Sequence, residues 1–183
     1  MAKLEPFNPT DTLTSLVSLQ RIESTGAVEQ IRQKTQCIVV LLGKEQLAIP
    51  IISIKEIIEV PRITRLPNVP AYILGICSVR GEIISITDIR QLLNLKGSDQ
   101  KTRKELAKER IILLDGERFT TGVVVDTVVE VIDIPLDEIE SSKTTLTGAL
   151  ASFGSGLYKE GGRVLVVLDV NALLNSHELS QFI

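Results

Sequence analysis

The sequence predicts an all-β fold with short helices, built twice along one chain. Two observations carry this. Apolar residues make up 44% of the 183 residues, yet aromatics reach only 3% and tryptophan is absent, so the core must be built from Ile, Val and Leu, which favours strands. The stretch Leu66–Leu93 also recurs: Gly75, Gly81, Asp88, Leu92 and Leu93 return 81 positions later as Gly156, Gly162, Asp169, Leu173 and Leu174. Upstream, Ile57–Val60 resembles Val128–Val131 at 71 positions, and Leu41–Glu45 resembles Leu113–Glu117. The change of offset places about ten extra residues between Ile132 and Leu157. These matches define copies at about 37–95 and 110–175, with a linker at 96–109.

Residues 1–36 form an extension outside the repeats. Leu13, Leu16, Val17 and Gln20 fall at helical spacing behind a Thr10 or Asp11 cap, which suits a helix packed on its own domain or an arm for a partner. Cys37–Leu42 is the first strand, Gly43–Gln46 a hairpin turn, and Leu47–Ile52 a strand bent by Pro50. Ile54, Ile57 and Ile58 follow i, i+3, i+4, which predicts a short helix capped by Ser53. Val60–Leu66 reads as a short, proline-broken strand. Ile76–Val79 and Glu82–Ile89 then form two strands around the Arg80-Gly81 turn, with Asp88 capping a helical turn at Ile89–Leu93. Lys96–Arg110 holds six basic against three acidic residues and, without interleaved aromatics, reads as a solvated loop. The second copy repeats the order, with Asp126–Val131 matching the short helix, Glu140–Ser155 as a long surface loop, and a final helix from Asn171.

The chemistry the sequence excludes is broad. His177 is the only histidine, and Cys37 and Cys77 stand in separate strands without a Cys-x-x-Cys pair, so no metal site assembles. No Gly-x-Ser-x-Gly elbow is present. The glycines near Gly154–Gly162 precede a strand, whereas a phosphate loop opens a helix. The reading is a non-enzyme without cofactor or metal. A net charge of −3 argues against nucleic acid as a partner. No apolar run approaches a membrane span and no signal peptide opens the chain, so a cytosolic protein with two reduced, buried thiols is expected.

Arg80 stands out because the second copy reaches the same turn with Gly161. In this alignment Glu56 meets Thr127. The fold does not ask for a cation at Arg80, so its five N–H donors are available for a carboxylate or backbone carbonyls. An intramolecular pair with Glu56, Glu59 or Glu82 is equally compatible with the sequence.

These residues resemble the CheW-like coupling proteins of bacterial chemotaxis. The resemblance runs from Cys37 to Leu179 and rests on Leu47-Ala48-Ile49-Pro50, Ile54-Lys55-Glu56-Ile57, Arg65–Pro70, Leu74-Gly75-Ile76, Val79-Arg80-Gly81-Glu82, Thr87–Arg90, Gly122–Asp126 and Leu173-Leu174. The family usually has Asn at Ser78 and Pro at Ser85. The resemblance implies two five-stranded SH3-like β-barrels related by a pseudo-two-fold. It also implies a non-catalytic adaptor between the cytoplasmic tips of chemoreceptors (or photoreceptors) and the regulatory domain of a CheA-type histidine kinase, recruited to membrane receptor arrays for chemotaxis or pilus motility. The alternative is a regulatory domain acting on such a kinase without receptor contact. Carried over residue by residue, the protein-binding groove would use Ile54, Glu56, Gly75 and Arg80, with Gly81, Gly156 and Gly162 as structural turns.

Overall fold

Strands of branched residues need partners, and here they find them in hairpins within each copy and then across the duplication. The computed structural model describes residues 32–95, 102–116, 119–141, 146 and 148–181; the arm at Leu13, Leu16 and Val17 lies outside them. The first half contributes β1 (Lys34–Leu42), β2 (Glu45–Pro50), β3 (Ile54–Glu59), β4 (Ile73–Val79) and β5 (Glu82–Thr87). The second contributes β6 (Arg110–Asp115), β7 (Thr120–Val125), β8 (Thr127–Pro135), the two-residue β9 (Glu140–Ser141), β10 (Gly154–Glu160) and β11 (Arg163–Leu168).

One sheet has the order β8-β1-β2-β11-β10-β9 and the other β3-β6-β7-β5-β4. The fold is therefore all-β with two SH3-like barrels, a larger and a smaller, and each contains both halves of the chain. The β1–β2 hairpin has joined β8, β10 and β11, and the β6–β7 hairpin has joined β3, β4 and β5. The smaller barrel has only the bridge Thr64↔Ile76 where the larger has β9.

The exchange explains why the strand sequences are apolar without alternation. Cys37, Val39, Ala48, Tyr158, Leu165 and Val167 fill the larger barrel. Cys77, Ile84, Ile86, Ile111, Leu113 and Val124 fill the smaller. The opposite faces of the same hairpins, including Ile38, Val40, Ile49, Ile112, Leu114 and Val123, form a third layer shared by both sheets. A hairpin buried on two faces reads as a continuous hydrophobic run.

Pairing register corrects the alignment of the copies. Val39 faces Glu130 as Leu113 faces Glu56, and Val40 faces Val128 as Leu114 faces Ile54. Ala48 pairs with Val167 as Gly122 pairs with Ile86. Each equivalence over the first three strands is 74 positions, not 71, and only β4–β5 keeps 81, as Cys77↔Ile84 and Tyr158↔Leu165 show. The second copy is thus longer by seven residues rather than about ten. Val/Ile-rich strands resemble themselves after a slip of a few residues, so identities alone cannot set their register.

Local expectations shift for the same reason. Ile54–Glu59 is a strand, not a helix, because β6 offers it a ladder; the helical turn is taken by Ile51–Ser53. Asp126–Val131 likewise falls largely in β8. Val60–Leu66 contributes one bridge rather than a strand. The loop at Glu140–Ser155 contains β9, the helix Ala149–Phe153 and the start of β10. The first strand begins at Lys34, three residues before its expected start. Asp169 caps the helix Val170–Leu174 by accepting from Ala172 N at 2.8 Å. Its counterpart Asp88 caps no helix; Ile89–Asn94 is a turn, and the Asp88 carboxylate binds Arg90 instead.

Candidate functional site

The β4–β5 hairpin turns through two residues, Arg80 at φ 51° and Gly81 at φ 89°. Two positive φ values in succession mark the tight turn whose twist matches the flanking strands. The larger barrel makes the turn with Gly161 at φ 57° and Gly162 at φ 82°. An L-residue in this region costs about 1–2 kcal/mol, so Arg80 is held where glycine would be easier.

The guanidinium of Arg80 donates to Glu56 on β3 at 2.8 Å. The pair sits at the surface, with the Arg80 side chain 79% exposed and Glu56 31%. Beside it Lys55 meets Glu82 at 3.1 Å, also exposed. Of the four residues expected in the groove, Arg80 and Glu56 come together. Ile54 lies on the same strand as Glu56, half-buried against the shared layer. Gly75 is buried, and a Cβ there would stand 2.2 Å from the Thr64 carbonyl oxygen. The missing Cβ lets the backbone of Thr64 lie against β4. Gly156 is not in a turn; it lies within β10 and admits the Glu140 carbonyl, 2.4 Å from its notional Cβ.

Sequence reasoning missed the neighbours of Arg80. Ile83 is 74% exposed, and with Ile76, Ile84 and Phe119 it lines an open cleft where β5 and β7 diverge. The available signal was Ile83 itself, an apolar residue on the face shared with Ser85 and Thr87.

The larger barrel carries a related charge cluster. Glu130 is the register counterpart of Glu56, correcting its alignment with Thr127. Its cation is not at the turn: Arg163, the counterpart of Glu82, binds both Glu130 and Glu160. These bonds, the one to Glu130 foremost, raise the Arg163 pKa. A third arginine, Arg90, is nearly buried between Asp88 and Asp126, with Asp126 at 3.1 Å. Asp126 also accepts from Gly43 N at 2.6 Å, tying the β1–β2 turn to the β7–β8 corner. The hydrogen bond to Asp88 is the main cause of a raised Arg90 pKa.

Among the described residues no group of three His, Cys, Asp or Glu side chains could hold a metal ion. The thiols lie buried in separate barrels, and burial pushes Cys37 up to about 11. His177 on the short helix His177–Ser180 contacts Gln181. Among the described residues no helix is long and apolar enough to cross a membrane.

The CheW-like domain family matches residues 36–178. Over 149 residues the chain is 29% identical to a chemotaxis protein CheW of Treponema pallidum, covering 81% of this chain and 87% of that one. A chemotaxis protein CheW of Klebsiella aerogenes is 30% identical over 139 residues, 76% of this chain and 81% of the relative. Among solved structures, the scaffolding protein TtCheW from Thermoanaerobacter tengcongensis superposes with a TM-score of 0.70 at 25% identity, covering 80% of this chain and 96% of that one.

Proposed function

Because the chain belongs to the CheW-like domain family, we propose that it is a non-catalytic adaptor in chemotaxis signalling, coupling the cytoplasmic tips of transmembrane receptors to the regulatory domain of a CheA-type histidine kinase at the membrane. The observation that supports a receptor-facing role for the smaller barrel is Arg80. It occupies a backbone conformation that favours glycine, and the other copy has glycine there. Its one described bond goes to Glu56 and leaves most of the guanidinium in solvent. A surface pair of this kind contributes about 0–1 kcal/mol to stability, so the fold gains little from it. A partner helix offering a carboxylate or terminal carbonyls would meet a planar fork with donors to spare.

Arg80→Ala should leave the melting temperature nearly unchanged while weakening binding of a soluble receptor-tip fragment about thirtyfold, or about 2 kcal/mol. Arg80→Lys should recover part of the affinity. Unchanged affinity in the alanine variant would overturn the assignment of the site. Stimulation of the kinase with no receptor binding at all would favour a regulator that acts without receptors.

A further inference from the structure

We propose that the Arg163–Glu130–Glu160 cluster closes a second docking face on the larger barrel, so that this duplicated chain presents one receptor-type site rather than two. The inference rests on the reading of Arg80 and Glu56 as that site. The two barrels offer the same platform. Glu130 stands on β8 where Glu56 stands on β3, and Val164 is exposed at the position of Ile83. The charges around it differ: Glu160 stands where the smaller barrel has Val79, and the cations sit at different positions. In the smaller barrel Arg80 projects from the turn and has Glu56 as its one described partner. In the larger barrel the turn is Gly161-Gly162, and the arginine has moved two positions into the strand as Arg163. From there it bridges two carboxylates of its own barrel, Glu130 and Glu160, and its side-chain exposure falls to 32%. A guanidinium shared between two carboxylates has few donors left for a third, and both acids are already occupied.

Exchange of the residues should reopen the face. With a soluble receptor-tip fragment as the probe, calorimetric stoichiometry should be one per chain for the natural protein and two for Gly161→Arg/Arg163→Glu. In an Arg80→Ala background, where binding is weakened about thirtyfold, the same pair of substitutions should restore one site of natural affinity. Weakening with Arg80→Ala but no restoration by a variant that melts normally would overturn this proposal and leave the Arg80 site standing. No effect of Arg80→Ala would instead remove the reading on which it rests. Should the exchanged protein fail to fold, Glu82→Arg tests the converse by placing the closing arginine beside Glu56. Binding should then weaken about tenfold or more at an unchanged melting temperature, and unchanged binding would overturn the proposal.

Discussion

The two barrels share a register but not a set of side chains. In the larger, Ala48 lies against Val167; in the smaller, Gly122 lies against Ile86, with no room for a methyl group. The parallel seam is Leu47 against Val166 in one, and in the other a hydroxyl pair, Ser85 and Thr121, 3.0 Å apart. The corner after the second strand is Asp126, bound by Arg90 and Gly43, in one copy. In the other it is Ile52, 92% exposed. At the Ala48/Val167 and Gly122/Ile86 contact what persists is summed volume; at the seam and the corner the chemistry itself changes. Dense packing explains the first, since one methylene moved across an interface can be compensated only by its neighbour.

The largest expected effect tests the close approaches on β4 and β10. Gly75→Ala adds a Cβ 2.2 Å from a backbone oxygen and strains a φ of 140°, and should cost about 4 kcal/mol or prevent folding. Gly156→Ala meets the Glu140 oxygen at 2.4 Å without a positive φ, and should cost about 2–3 kcal/mol. Denaturant titration of both compares them; equal losses would mean that the φ strain at Gly75 adds nothing.

Next comes the nearly buried Arg90. Arg90→Met removes the guanidinium that Asp88 and Asp126 share and should lose about 3 kcal/mol. Its counterpart Asn171 is exposed, and Asn171→Ala should stay within about 0.5 kcal/mol. A small loss at Arg90 would show that the corner does not depend on the ion pairs.

The thiol of the larger barrel has an alkaline signature. Burial raises Cys37 from 9.0 to about 11, against a smaller opposing hydrogen bond from Thr35. The folded state therefore favours the neutral thiol. Its stabilisation is complete below pH 9 and is lost as pH rises toward 11, by about 2 kcal/mol. Unfolding free energies across this range should fall less steeply for Cys37→Ala than for the natural protein. Parallel slopes would assign the loss to other groups.

The smallest effect transplants one barrel's packing into the other. Gly122→Ala brings a Cβ to 2.5 Å from Ile86 Cδ1 and 2.8 Å from Ile111 Cγ2. Side chains yield more readily than backbone, so about 1–2 kcal/mol is expected. Ile86→Val, which recreates the Ala48/Val167 pairing, should recover most of it in the double variant. Strict additivity of the two losses would break the equivalence of the barrels at this contact.

Much of this protein was legible in the residues alone. The shortage of aromatics among abundant Ile and Val determined a β fold. Five identities at one offset determined the duplication, and Gly81 and Gly162 marked turns that both copies make at positive φ. The ordered motifs from Leu47 to Leu174 determined the family. The exchange of hairpins was not legible, because β1–β2 and β6–β7 are apolar on both faces and either could complete either barrel. Nor was the register, since period-two strands of Val and Ile match after a slip, and this hid Glu130 as the counterpart of Glu56. The strand at Ile54–Glu59 was hidden too, its local pattern fitting a helix until β6 supplied a ladder. Local sequence sets what a segment can form; the choice among strand partners is made by contacts more than fifty residues apart, as between Ile57 and Ile112, and only tertiary structure holds those.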